Sequence, residues 1–236
     1  MAGEVRRGYI DTDRVQFAAD QLPLLRRAQQ ELLYLLERGY PIKSVSTFVG
    51  NHYMLSERQR LAIVRATAER DIVELRLKKL IEGEVRGQEV FIDGLNLIIT
   101  LEVALSGSTL IRCMDRTIRD LAGLRGTYRL IDKTDRAIAL IGDQLMDMGV
   151  SRACFYLDAP VSNTGRLKTR IMEGLEQYPF EASVQLEGNV DALLKRLGNV
   201  VTSDGIILNY CGSFINMAAD IILKRLPEVG YLDLGM

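Results

Sequence analysis

Two short apolar runs in this chain each stop at an aspartate followed by glycine: Val90-Phe91-Ile92-Asp93-Gly94 and Val200-Val201-Thr202-Ser203-Asp204-Gly205. Runs of this composition have the character of β-strands. In an open α/β sheet, ligands bind outside the carboxyl ends of the strands. Two carboxylates delivered to that edge repel each other unless a cation or a proton lies between them. Carboxylate and water ligands suit a hard ion, Mg²⁺ or Mn²⁺. The pair therefore points to a hard-metal site.

Further candidates surround the pair. Asn96 lies one turn beyond Asp93, and Thr202 and Ser203 precede Asp204, where each could hold a metal-bound water or a phosphate. Asp158 ends a third run, Cys154-Phe155-Tyr156-Leu157, and opens a loop containing Ser162. Arg166 and Lys168 follow at the start of a helical pattern, a place suited to a phosphate. Asp191 stands in the first turn of another expected helix. Asp115 is a site candidate that also forms an (i, i+4) pair with Arg119, by default a surface ion pair. Each acid has a plainer reading beside the chemical one. Asp93 and Asp204 are placed to cap helices, Asp158 to start a turn, and Asp191 to complement a helix dipole.

The elements that must position these residues fall into two textures. Residues 1–85 read as all-helical. Apolar positions recur at helical spacing over residues 14–38, and Gly39 and Pro41 end that helix. A short segment covers residues 43–49. Ser56 and Gln59 form a capping box for a helix over residues 57–81. A charged stretch between Gly83 and Gly87 is the expected boundary. From residue 88 to 236, strand-like runs (89–92, 153–157, 182–186, 199–202) alternate with helical patterns (97–105, 115–121, 134–148, 165–176, 190–197, 213–226). That alternation predicts a mostly parallel sheet with helices on both faces.

Composition narrows the class. With 236 residues, 47% hydrophobic and 26% charged, the chain reads as an ordinary soluble globular protein. Net charge is −1, so there is no global basic signal for nucleic acid. Residues 1–88 hold 15 Lys+Arg against 12 Asp+Glu and residues 89–236 hold 15 against 19, a mildly basic front beside an acidic back. Cys113, Cys154 and Cys211 are scattered, which predicts reduced, buried thiols. The N-terminus is polar and carries no signal-peptide pattern. Apolar runs fall far short of the roughly 20 residues of a membrane span. A cytoplasmic protein without a membrane partner is expected. His52 is the single histidine, which argues against a His-based zinc site or a Ser/His/Asp triad unless His52 itself serves.

Residues 89–210 resemble a PIN-like nuclease domain, closest to its NYN branch. The likeness rests on Asp93-x-x-Asn96 after the first strand, Asp191 at a helix start, and Ser203-Asp204 after the last strand. Asp158 matches the mid-domain strand-end acid. The N-terminal segment, with Tyr34 to Pro41 and Phe48 to Tyr53, resembles the helical half of an uncharacterised prokaryotic family in which such a region precedes a PIN-like half. One departure is Gly205, where nucleases often carry a second acid, and it leaves the metal count open. The resemblance implies metal-dependent hydrolysis of RNA, with DNA left open. It implies Asp93, Asp158, Asp191 and Asp204 as catalytic Mg²⁺ or Mn²⁺ ligands. Under it, Asn96 and Ser203 would orient waters or phosphate, and Arg166 and Lys168 would hold the substrate backbone; Asp115 and Ser162 are further substrate-binding candidates from the residues themselves.

Other readings stay open at this point. A catalytically inactive PIN-like module would bind RNA or protein. A phosphatase with Asp93 as nucleophile commonly has a second aspartate two residues on, where Leu95 stands here. A dinucleotide enzyme would need a G-x-G-x-x-G element after a strand, and none occurs. The long amphipathic helices of the front half are compatible with a homodimer.

Overall fold

The apolar runs become the strands of a computed structural model that describes residues 5–83, 85–123 and 126–235. The first four residues of the polar N-terminal run, and Glu84 in the boundary stretch, lie outside the described residues. In chain order the front half comprises α1 (Asp13–Gln16), α2 (Leu22–Leu36), α3 (Ile42–His52), α4 (Glu57–Ala66) and α5 (Arg70–Lys79). There follow β1 (Glu89–Asp93), α6 (Gly94–Leu105), β2 (Leu110–Arg112), β3 (Ile118–Asp120) and α7 (Thr134–Met148). The back half continues with β4 (Arg152–Asp158), α8 (Thr164–Leu175), β5 (Glu181–Glu187), α9 (Val190–Leu194) and β6 (Val200–Val201). It closes with α10 (Gly205–Tyr210), β7 (Phe214–Ile215), α11 (Met217–Arg225) and β8 (Leu232–Asp233).

Among the described residues the main sheet is β5-β4-β1-β6-β7, with every pairing parallel. Numbered by order of appearance within this sheet, its strands run 3-2-1-4-5. The order reverses at β1, next to β6, and such a switch point is where open α/β sheets bind ligands. β1 is central and its Val90 and Ile92 are fully buried, as expected for a strand covered on both faces. Helix α6 buries residues all round its circumference, from Leu95 to Ala104. A helix apolar on every side must lie inside the protein, and α6 packs on β1 and β4 while also touching β2 and β3.

The structure corrects several expectations. The long helix over residues 57–81 breaks into α4 and α5. At Thr67 the backbone turns extended, and its hydroxyl donates to Ile63 O at 2.6 Å, ending α4. The capping box that starts α4 is present, with Ser56 and Gln59 each receiving the other's backbone N–H. The pattern over residues 14–38 becomes α1 and α2. Residues 115–121, expected as a helix, instead form the turn and strand β3 of an antiparallel hairpin with β2. That hairpin joins β8 in a second sheet of order β3-β2-β8. β7, β8 and β2 are too short to show a pattern in sequence.

The second sheet explains the helical half. Leu25, Leu32, Val49 and Ile63 share one core with Ile111, Cys113, Leu121, Leu232 and Leu234. The front helices thus close their hydrophobic face on strands from the back half. The boundary stretch is itself packed: Val85 is buried in the main core, and Ile81 N donates to Phe214 O at 2.8 Å. The three cysteines are buried and free. Among the described residues no helix is long and apolar enough to cross a membrane.

Candidate metal centre

Asp93 and Asp204 reach the sheet edge because each ends a strand and starts a helix. Asp93 caps α6, its Oδ1 accepting from Asn96 N at 3.4 Å. Gly94 lets α6 begin hard against β4, since a Cβ there would lie 2.7 Å from Leu157 Cδ2 and 3.1 Å from Tyr156 O. Asp204 caps α10, its Oδ1 accepting from Ile206 N at 2.7 Å and Ile207 N at 3.2 Å. The capping readings of both acids therefore hold, and in each the cap uses only one carboxylate oxygen.

The gap between β1 and β6 is stitched by side chains. Thr202 Oγ1 donates to Asp93 Oδ2 at 2.8 Å and accepts from Asp204 N at 3.0 Å. Asn96 Oδ1 accepts from Ser203 N at 3.0 Å and from Ser203 Oγ at 2.9 Å. Asn96 and Ser203 thus hold each other and set the loop that carries Asp204. Asp158, at the end of β4, accepts from Val190 N and so fastens the start of α9, which carries Asp191.

Asp93, Asp158, Asp191 and Asp204 all line one cavity of about 830 Å³, together with Asn96 and Ser203. Asp93 is the buried member, 7% exposed. Burial raises its pKa to about 7, against the Thr202 hydrogen bond, with repulsion from Asp204 and Asp158 adding to the rise. Asp158 is raised by burial. Asp191 is raised by burial and by the charges of Asp204 and Asp158, with Lys195 opposing. Asp93 and Asp191 thus each feel the charges of Asp204 and Asp158 across this cavity, as a shared cation site requires.

Other candidates are placed elsewhere. Asp115 is buried, and its carboxylate is taken by Arg76, Arg119 and Thr117. The Asp115–Arg119 pair exists, but inside the protein and across a hairpin rather than on a helix surface. Asp115 has no acceptor left for substrate. Ser162, Arg166 and Lys168 are exposed and do not line the cavity. Ser162 instead bonds the segment around Tyr128 through its backbone.

The cavity's other wall comes from the helical half and the hairpin, with Arg65, Ile72, Arg76, Arg119 and Asp120. Of these arginines the sequence reading reaches only Arg119, as the partner of Asp115, and not Arg65 or Arg76. Arg76 did leave a signal, because it lies in helical register with Val73 and Leu80 on an otherwise apolar stripe. Asp120 is a further acid here, with Oδ2 bonded by Thr100 and Oδ1 by Ala122 N.

The amide oxygen of Asn96 and the Thr202 hydroxyl are taken up within the protein, so the donors facing the cavity are carboxylate oxygens, which fit Mg²⁺ or Mn²⁺. Among the described residues no three His, Cys, Asp or Glu side chains enclose one ion position. The fit is therefore to an ion held by one or two carboxylates that keeps several waters, the usual mode for Mg²⁺.

Fold and site together define a mixed α/β protein with an acidic cleft at the switch point of a five-stranded parallel sheet, walled by an N-terminal helical region. The profile described as "Domain of unknown function (DUF5616)" matches residues 82–220, and the one described as "Protein of unknown function (DUF434)" matches residues 24–79. The chain belongs to the DUF5616 family, with a DUF434 segment ahead of it. It is similar to an uncharacterised protein of Methanocaldococcus jannaschii, 35% identical over 187 residues, covering 78% of this chain and 88% of that protein. No solved structure matches.

Proposed function

We propose that this protein is a metal-dependent nuclease of PIN-like type that hydrolyses RNA phosphodiesters. One observation carries the reading: Asp93, Asp158, Asp191 and Asp204, from four separate segments, line a single cavity at the point where the strand order reverses, with Asp120 a fifth aspartate on its facing wall. RNA as substrate, and the PIN-like identity of the sheet, rest on the likeness of Asp93-x-x-Asn96 and Ser203-Asp204 to the NYN branch.

A bound Mg²⁺ or Mn²⁺ would neutralise phosphate charge and acidify a ligand water. Asp93 and Asp204 are the ligands best placed by the fold, with Asp158 and Asp191 acting directly or through water. Thr202 holds the orientation of Asp93, and Asn96 holds the Ser203 loop. Arg65, whose Nη1 is engaged by Asp120 while its side chain stays 35% exposed in the cavity wall, is the cation placed for the phosphate-holding part expected of Arg166 and Lys168. Such a contact positions the backbone without reading sequence.

The test is cleavage of 5′-labelled structured and single-stranded RNA, with DNA of the same sequence beside it. The reading predicts fragments with Mn²⁺ or Mg²⁺ and none in chelator. Cleavage that persists in chelator contradicts it. An inactive binding module is the second reading, favoured by the capping roles of Asp93 and Asp204, which account for both residues without catalysis. Binding of RNA with no cleavage under any metal would select it.

A further inference from the structure

Asp204 lies between two backbone carbonyls, and a buried arginine grips each of them. Arg119 Nε donates to Ser203 O at 2.7 Å, and Arg76 Nη2 donates to Gly205 O at 3.0 Å. The two guanidinium groups meet at one atom, Asp115 Oδ2, which Arg76 Nη1 reaches at 2.7 Å and Arg119 through Nη2. Asp115 Oδ1 accepts from Thr117 N at 3.2 Å and from Thr117 Oγ1 at 2.5 Å. Two acceptor positions on each oxygen are thereby filled.

Both arginines reach further. Arg119 Nη1 donates to Arg65 O at the end of α4, and Arg76 Nε donates to Asn209 Oδ1 at 2.8 Å in α10. Lys79, one turn beyond Arg76, donates to Leu208 O and Asn209 O. Helix α5 therefore holds α10 at both ends.

The charge balance is unusual for a purely structural ion pair. The side chains of Arg76, Asp115 and Arg119 are 8%, 2% and 13% exposed. One carboxylate balances one of two buried cations. A buried charge without a partner is costly, and the surplus here faces the acidic cavity, where Arg119 feels the charge of Asp204.

We propose that Arg76, Asp115 and Arg119 form a positioning unit that fixes Asp204 and offsets the repulsion among the acids, so that the N-terminal helical region completes the metal centre. The part concerning metal rests on the function proposed above. Arg76 is a positioning residue that acts through the backbone of residues 203–205.

Three full-length variants test this. Arg76→Gln removes the grip. Gly205→Ala disturbs it without removing a polar group, because a Cβ there would lie 3.0 Å from Arg76 Nη2. Arg70→Gln, on the same helix as Arg76, breaks an exposed pair with Glu37 at the end of α2 and is the control. Two readouts are taken: amide hydrogen exchange over residues 203–210 in chelator, and Mn²⁺ affinity by electron paramagnetic resonance.

Arg76→Gln and Gly205→Ala should both exchange faster over residues 203–210, with the main sheet unchanged. Arg76→Gln should weaken Mn²⁺ binding by roughly 10- to 100-fold, the range for residues that orient metal ligands. Arg70→Gln should match wild type. Wild-type exchange and affinity in both Arg76→Gln and Gly205→Ala would overturn the inference. If Arg76→Gln unfolds globally, Gly205→Ala decides alone. If wild type binds no Mn²⁺, the metal reading fails and the exchange result alone decides the positioning role.

Discussion

Asp93→Asn is expected to lower metal-dependent RNA cleavage by roughly 10³-fold or more, equivalent to about 4 kcal/mol of transition-state stabilisation. The substitution is nearly isosteric. With its amide oxygen at the Oδ1 position the introduced asparagine keeps the cap on α6, and its amide nitrogen, in place of Oδ2, can donate to Thr202 Oγ1 once that hydroxyl turns. The fold should survive while the negative charge is lost. Asp93 has the largest predicted effect because it is the buried acid, and it stands at the end of the central strand next to the strand-order reversal. Single-turnover cleavage by wild type and variant at saturating Mn²⁺ checks this. Wild-type rates in rigorously purified Asp93→Asn protein would remove Asp93 from the chemistry.

The second large effect concerns stability without metal. Burial holds the pKa of Asp93 at about 7 in the folded protein, against about 3.9 in an unfolded chain. The folded state therefore binds this proton more tightly than the unfolded state. The resulting stability is fully present below about pH 4 and is lost as pH rises through about 7. Between pH 5 and pH 8 the loss from this one group is on the order of 3 kcal/mol. For a chain of this size that corresponds to a fall in Tm of roughly 6–12 °C. Asp158 and Asp191 are also raised and act in the same direction, so the informative quantity is the difference between variants. In chelator, Asp93→Asn should lose most of this pH dependence and melt above wild type at pH 8. Asp204→Asn should also melt above wild type at pH 8, because it keeps the cap on α10 and removes a repelling charge. Equal pH dependence in wild type and Asp93→Asn would show that Asp93 does not carry the proton.

Much of the site was legible because strand-end acids announce themselves. A β-branched run broken by Asp-Gly marks both a strand terminus and a helix cap, and local sequence sets both. Asp93, Asp158 and Asp204 are legible this way, Asn96 and Ser203 as their neighbours, and Asp191 as an acid in the first turn of a helix; all six share one cavity. The mostly parallel sheet of the back half was also readable, since parallel strands require the helices that alternate with them.

The opposite wall was hidden for the opposite reason. Arg76 matters through Asp115, which is 39 residues away, and nothing local sets that meeting, whereas the Asp115–Arg119 pair at four residues was legible but not its burial. Residues 115–121 carry a helical charge spacing that tertiary pairing with Leu110–Arg112 overrides. The same misreading made Asp115 a surface residue and a substrate contact, whereas it is buried with its acceptors filled. Arg166 and Lys168 followed a sound local rule, cations near a helix start, but α8 carries them away from the cavity. The helical half looked self-contained because its apolar stripes are regular. Its core is in fact completed by short strands whose two or three residues carry no periodic signal.

Calorimetric titration of Mn²⁺ and Mg²⁺ into wild type and the Asp93→Asn, Asp204→Asn double variant tests the central claim most directly. The account predicts saturable binding to wild type and none to the double variant, whose helix caps and fold are retained. Equal binding to both proteins would place the ion elsewhere and contradict the assignment of the acidic cleft as a metal centre.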